Sequence, residues 1–421
     1  MSCAAAPRPA APRSLIATLG DEGFRLFFPL AALYAAAFPL IWVLALGLDL
    51  PLARVVPPSL WHGYEMLIGA FGAALIGFLT TAAPEWTDTE PLRGRPLWAL
   101  AALWAAGRIV GALGWDRLSV VGALADLGWI GALLAYLVAL SIRRRSDRLI
   151  AFILWLALLS GCALAARLAF ISGDIARAAT CLHLTGFAYL GLLGLALARI
   201  TVPITNQVLD PGETTSPFRP HPGRINLAPG LVLVAMAGQA AGVSPMVQGW
   251  LILAAGAGFM DRVAEGFIGR ESARAEILLL AGSAALAGLG LLMTGAALLG
   301  APWTQVAGLH LAFMGGLGLG VYTVLSIAGR LHTGQSLGLS ALTRIGALML
   351  IAAAALRIAP EMGLPLPGPL HALPALAWAA AFVIWVAAYW PGLRSGGFGD
   401  RFGRTGEDVG GGGGGPSYAL T

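Results

Sequence analysis

Long apolar runs alternate along the chain with short segments that contain charged residues, proline or glycine. Runs of about 17 to 28 apolar residues match the length that a helix needs to cross a bilayer. The pattern therefore predicts an all-α, polytopic membrane protein with about twelve transmembrane helices. The predicted spans cover residues 24–48, 60–82, 96–114, 118–141, 148–172, 177–204, 226–243, 245–262, 276–299, 304–330, 340–358 and 371–392.

The seventh and eighth spans form the weakest part of this pattern. They are short, and only Ser244 and Pro245 separate them. Two short apolar helices joined by a tight turn can each cross the bilayer, or can form a re-entrant pair that stays on one side. The sequence leaves both alternatives open.

The two ends of the chain have no such apolar run. Residues 1–22 are rich in alanine and proline, and residues 394–421 contain the glycine run from Gly410 to Gly415. Neither end has an apolar face to bury. We expect a disordered cytoplasmic arm, a membrane domain over residues 23–393 and a flexible cytoplasmic tail.

The composition supports a membrane domain, and it affects how the net positive charge is interpreted. Hydrophobic residues make up 58% of the chain and charged residues 11%, with a mean hydropathy of +0.79 and an isoelectric point near 9.5. Such a charge would suggest nucleic acid in a soluble protein, but here every basic residue is arginine and most lie between spans. We expect a lipid bilayer as partner and no nucleic acid.

The arginines also predict the orientation of the chain. Only Arg54, Arg117 and Arg177 fall in the odd-numbered loops, whereas most others lie in the even-numbered loops and the two ends. Because positive residues accumulate on the cytoplasmic side, both termini are expected there.

Three histidines are the strongest candidates for chemistry. His62, His183 and His310 come early in spans two, six and ten, which all run from outside to inside. At ~1.5 Å per residue they would lie about 5 to 10 Å below the outer surface. A lone membrane histidine is usually bonded to a backbone carbonyl, but three at one depth favour a ligand set. Their interval of four spans predicts three pseudo-repeated four-helix arcs, with His371 as a weaker fourth member of the cluster.

Several polar residues near these histidines have two interpretations each. Glu65 lies on the helix face of His62, where it could orient the imidazole, carry a proton or simply be hydrated. Arg108 and Asp126 could pair across neighbouring spans. Arg167 and Arg357 could extend to the interface or hold the carboxylates of a cofactor.

One further histidine belongs to the other side of the membrane. His332 follows span ten on the cytoplasmic side, so it cannot join the outer cluster. A role at a helix end or in a loop is expected for it.

The residues resemble, as a set, the NnrS family of bacterial inner-membrane proteins, which are described as haem- and copper-containing and are linked to the response to nitric oxide. The resemblance covers nearly all of the membrane domain. It rests on Phe24-Arg25, Trp61-His62, Glu65-Met66, Gly77-Phe78-Leu79, Leu103-Trp104 with Arg108, His183 leading to Arg199 and Pro203, and His310 leading to His332-Thr333-Gly334.

The second span is also similar to the corresponding helix of haem-copper oxidase catalytic subunits, which have twelve helices in three arcs. Together the resemblances imply that His62 and His310 are axial ligands of one haem and that His183 faces a second metal, such as copper. Nitric oxide or another small uncharged gas is then the expected partner. Supporting roles are implied for Glu65, Tyr64, Met66, Arg108 and His332.

Two departures from the family pattern predict a reduced metal content. The family usually has a second histidine where this chain has Tyr64, and another in the ninth span, where residues 276–299 contain none. The copper histidine pair that the resemblance to haem-copper oxidases would place after span six is also absent, which argues against a complete haem-copper centre. A small-solute transporter or channel, and a non-catalytic assembly or stress factor, therefore remain alternatives, and the sequence does not decide whether the protein is an enzyme.

Overall fold

The computed structural model describes residues 14–47, 56–113, 119–369 and 371–395, which contain twelve long helices and no strand. The all-α prediction is confirmed. We number the helices α1 (Gly23–Gly47), α2 (Pro58–Thr87), α3 (Arg95–Leu113), α4 (Ser119–Arg144), α5 (Ile150–Ser172), α6 (Ile175–Leu209), α7 (Leu227–Ala241), α8 (Pro245–Val263), α9 (Ala275–Leu298), α10 (Gln305–Leu331), α11 (Ala341–Ile358) and α12 (Ala372–Arg394).

Nine of these described helices are long and apolar enough to cross a membrane, which makes the chain a multi-pass membrane protein. The other three are α3, the 15-residue α7 and α8, which carries Asp261 and Arg262 near its end. Helices α7 and α8 form a hairpin whose first helix ends at Gly242 with a φ of +68°. That conformation suits glycine because it has no Cβ.

The helices form a closed ring around three inner members. Each helix packs against its neighbours in sequence, and α12 returns to pack against α1. In α2, α6 and α10, 83%, 67% and 78% of the most apolar stretch is buried, against 33 to 56% in the other six candidate spans. Helix α6 contacts both α2 and α10. Every fourth helix is therefore among the most buried, which matches the interval of four spans between the three histidines.

Two of the inner helices change from α-helix to π-helix within three residues of a histidine. In α2 a π-helix covers Glu65–Phe71, three residues after His62, and in α10 a π-helix covers Leu311–Gly318, immediately after His310. Such segments are rare and often occur at functional sites. Helix α6, which carries His183, is assigned as α-helix throughout.

The expected disordered arm is wrong over a short stretch. Leu15–Leu19 forms a helix that begins at Ser14, whose hydroxyl accepts a hydrogen bond from the Ala17 amide, and it packs against α1 and α12. Residues 1–13 of the predicted arm and residues 396–421 of the predicted tail lie outside the described residues.

Candidate functional site

Helices α2 and α10 bring His62 and His310 to the same end of the bundle, close enough to interact electrostatically. Nδ1 of His310 donates a hydrogen bond to the carbonyl oxygen of Val306, at 2.8 Å. This bond directs the lone pair of the imidazole to Nε2, the usual arrangement of a metal-binding histidine. Nδ1 of His62 is buried and has no hydrogen-bond partner among the described residues.

Aromatic rings and two further basic residues surround this pair. The ring of Trp42 lies 4.4 Å from that of His62 and 5.1 Å from that of His371, between centroids, and Phe38 stacks on His62 at 6.1 Å. His371, the weaker candidate, therefore lies at the same end of the bundle. Half-buried Arg357 is within electrostatic range of His62, His310 and His371.

His183 lies apart from this group. Its side chain is exposed and borders an open cavity of about 200 Å³ between α6 and the helices α7 to α10. Among the described residues no three His, Cys, Asp or Glu side chains are grouped so that they could hold a metal ion. The three predicted histidines thus divide into a pair and a separate member.

Below His62, a buried network of charges joins α2, α3, α4 and α5. Arg108 Nη2 donates to Asp126 Oδ1 at 2.6 Å, and Arg108 Nη1 lies 3.2 Å from Glu65 Oε2. Arg167 donates to the other oxygen of Asp126, and the hydroxyl of Tyr34, in α1, donates to Glu65. The predicted pairing of Arg108 with Asp126 is confirmed.

The contacts in this network exclude some of the roles that the sequence left open for Glu65 and Arg167. Glu65 is only 1% exposed and is bonded to Tyr34 and Arg108, so it is not hydrated at the membrane edge. Arg167 is 9% exposed and points to Asp126, so it neither extends to the interface nor faces the histidine pair. Two arginines and two carboxylates balance in charge, as buried ions must.

Two glycines of α3 make room for these carboxylates. A Cβ at Gly107 would lie 2.3 Å from Asp126 Oδ1, and a Cβ at Gly111 would lie 2.3 Å from Glu65 Oε1. Both distances are far shorter than a real contact. Glycines four residues apart beside a membrane arginine are the sequence signal for this network.

Tyr64 and Met66 have structural contacts. Tyr64, at the position where the family usually has histidine, donates to Asp126 Oδ2 at 3.0 Å and accepts from Arg167 Nε at 2.9 Å. Met66 packs against the cluster formed by Phe38 and Trp61. Tyr64 therefore belongs to the charge network.

His332 lies at the opposite end of the bundle, as predicted. It is the residue that ends α10, its Nδ1 lies 3.4 Å from Glu85 Oε1, and its ring stacks on Phe24 at 5.1 Å. Burial and the neighbouring charge of Arg25 lower the pKa of His332, which keeps the imidazole neutral near pH 7. The expected role at a helix end agrees with these contacts.

The fold and the histidine-bearing inner helices define a polytopic helical membrane protein with a candidate site at one end of the bundle. A family model described as NnrS protein matches residues 18–395, nearly the whole chain. The chain therefore belongs to the NnrS family, and the resemblance seen in the sequence is confirmed. No curated protein matches it.

Proposed function

We propose that this protein binds haem between α2 and α10, where His62 and His310 would supply the imidazole ligands, and that the haem in turn would bind nitric oxide. Membership of a family linked to nitric oxide supports the partner. The observation that carries the proposal is that the two imidazoles lie within electrostatic range of each other, with His62 three residues before one π-helix and His310 immediately before another. Binding alone would suffice for a sensing or protective role in nitrosative stress, without turnover.

The surroundings of the pair fit a haem. Neutral imidazole is a common ligand of haem iron, and His310 Nε2 is available for it because Nδ1 is bonded to Val306. His62 Nδ1 is a buried atom without a partner. Arg357 is the nearby cation that would pair with the carboxylates of a haem.

The surroundings of His183 do not fit copper. Its cavity is lined by glutamine, threonine and apolar side chains, and the described lining contains no second histidine and no cysteine or methionine. Copper favours imidazole and sulfur ligands. The prediction of a second metal at His183 remains untested, and no function is assigned to copper.

We also propose a location in the cell and an orientation in the membrane. The excess of arginine in the even-numbered loops supports both termini in the cytoplasm, and the family supports the inner membrane of a bacterium. The histidine pair would then face the outer side, where a small uncharged gas reaches it through the bilayer.

The test is the optical spectrum of the purified full-length chain. We expect a Soret band that shifts on addition of nitric oxide, and its loss in H62A and H310A. The matched control is H332A, which removes a histidine from the opposite end of α10 and should keep the band. A spectrum without a Soret band, or one that survives both substitutions, would refute the proposal.

The alternatives predict other outcomes. A transporter or channel would move a solute in proteoliposomes without haem. An assembly or stress factor would still protect cells after His62, His183 and His310 were all replaced.

A further inference from the structure

Three arginines from different parts of the chain meet at the end of α2 that is far from the proposed haem site. Arg144 is the last residue of α4, Arg148 precedes α5, and Arg199 lies in the second half of α6. Arg144 donates to the carbonyl oxygen of Asp88, and Arg148 Nη1 donates to that of Trp86 at 3.0 Å. Arg199 Nη2 donates to the carbonyl oxygen of Arg148 at 3.1 Å, and its guanidinium lies 5.8 Å from the ring centre of Trp86. Three positive charges therefore surround one helix end.

The described part of the chain leaves most of the charge of this arginine cluster (Arg144, Arg148 and Arg199) without a counter-charge. All three side chains are exposed, and none is within ion-pair distance of a carboxylate among the described residues. Arg148 and Asp147 both lie within electrostatic range of Arg199, so a single carboxylate offsets only part of the charge. A guanidinium has five N–H donors, and the bonds above use one in each. The cluster keeps free donors and a net positive charge.

Exposed aliphatic side chains lie on the membrane side of the arginine cluster. Ile142, two residues before Arg144 on α4, is 71% exposed. Ile150 and Leu154, which are one turn apart on the same face of α5, are 48% and 64% exposed. A molecule that extends from the arginines along these helices therefore meets positive charge at one end and an apolar surface beyond it.

We propose that the arginine cluster binds the headgroup of an anionic phospholipid, whose acyl chains lie against α4 and α5. The planar guanidinium matches the oxygens of a phosphate with two parallel N–H bonds. Basic pockets between membrane helices on the cytoplasmic side bind anionic headgroups in this way. A zwitterionic lipid also has a phosphate, but its ammonium group adds a positive charge that the cluster repels. The cluster therefore selects lipids with a net negative charge.

The test measures lipid binding to the detergent-solubilised full chain by native mass spectrometry. Equal amounts of phosphatidylglycerol and phosphatidylcholine with the same acyl chains are added together. We expect the wild-type chain to retain phosphatidylglycerol at least five-fold more than phosphatidylcholine. The triple variant R144Q/R148Q/R199Q should lose this preference, because it removes the charges that distinguish the two headgroups.

The matched control removes the same amount of charge elsewhere. R219Q/R270Q/R344Q replaces three exposed arginines on other segments and should keep the preference. If the first triple variant does not fold, the single variant R199Q serves in its place. It leaves both arginine bonds to the end of α2 intact and should reduce the retention of phosphatidylglycerol about three-fold.

Several results would overturn the proposal. Equal retention of the two lipids, or a preference that survives without the arginine cluster, would mean that the cluster does not select anionic lipid. Equal losses in both triple variants would mean that only the net charge of the protein matters. Equally strong binding of glycerophosphoglycerol, the same headgroup without acyl chains, would make the ligand a free phosphate ester. None of these measurements depends on haem.

Discussion

Helices α2 and α10 each contain a π-helix that follows a histidine, but different interactions stabilise the π-helix in each. Both place a histidine before a π-helix, and both are among the most buried helices of the bundle. Around α2 the neighbours supply charges, with Arg108, Asp126 and Arg167 bonded to Glu65 and Tyr64. Around α10 they supply small residues and almost no charge.

The packing of α10 on α9 is close enough to exclude side chains. A Cβ at Gly290 would lie 2.2 Å from the backbone nitrogen of Ala312, and a Cβ at Gly316 would lie 2.5 Å from Cα of Ala287. Small residues let membrane helices approach to this distance, where dispersion contacts hold them. The comparison shows that a π-helix beside a histidine can be stabilised by ion pairs or by close packing.

One feature is common to both helices. The Trp104 indole in α3 donates to the carbonyl oxygen of Gly69 at 2.9 Å, and the Ser283 hydroxyl in α9 donates to that of Gly316 at 2.8 Å. Each accepting carbonyl lies inside a π-helix. An irregular helix in a membrane needs such side-chain donors because the bilayer core offers no water.

The largest effect is expected from disrupting the buried ion pairs around α2. D126L leaves Arg108 and Arg167 buried without their shared carboxylate, and removal of one partner from a buried ion pair costs about 3 to 5 kcal/mol. We expect a large drop in thermal stability in detergent. D261L removes an aspartate from a half-exposed ion pair with Arg224 and is the control, with a small effect. Equal losses would mean that the network does not stabilise the bundle.

A smaller loss is expected from separating α9 and α10. G290A forces the Cβ into the backbone of α10, and overpacking of this kind costs about 1 to 3 kcal/mol. G282A, on the same helix, places its Cβ 3.5 Å from a side-chain carbon of Leu319 and is the matched control. The measurement is thermal stability together with the Soret position. A shift in G282A as large as in G290A would contradict the packing argument.

Y64F tests whether Tyr64 belongs to the charge network around α2 or to the haem site. It removes the hydroxyl that joins Asp126 and Arg167. Asp126 keeps its bond from Arg167, but Arg167 Nε loses its acceptor, and one buried group left unpaired costs about 1 to 3 kcal/mol. We expect lower thermal stability with an unchanged Soret band, because Tyr64 belongs to the network. Y136F removes a tyrosine hydroxyl that has no partner among the described residues and should be neutral. Loss of the Soret band in Y64F would instead place Tyr64 in the haem site.

The smallest effects are expected from removing the side-chain hydrogen bonds to the π-helix carbonyls of Gly69 and Gly316. S283A removes one hydrogen bond to a π-helix, worth about 1 kcal/mol, and W104F removes the matching bond together with part of a buried ring, so its loss should be the larger of the two. S160A, which removes an ordinary hydroxyl bond to the carbonyl of Leu156 within α5, is the control for a hydroxyl deletion. Because the two sites lie on different helices, their effects should add in the double variant. A clear departure from additivity would show that the two π-helices are coupled.

Much of the fold follows from the sequence. The length of the apolar runs predicts all twelve helices at nearly their observed positions, because a bilayer demands uninterrupted helices of a set length. The interval of four spans between His62, His183 and His310 predicts a repeat of four helices, and the structure adds that α2, α6 and α10 are the most buried of the candidate spans. The short helix Leu15–Leu19 was missed because Ala- and Pro-rich composition concealed a Ser14 cap.

What the sequence determined by itself is the class of protein and the family, since hydropathy and a set of motifs depend on residues one by one. Only the tertiary structure decided which polar groups meet. It placed Tyr64 and Arg167 with Asp126, set His183 beside an open cavity, and brought His371 to the histidine pair. The reason is physical: a buried charge is stable only beside its partner, and that partner lies on another helix whose rotation and register no local pattern encodes.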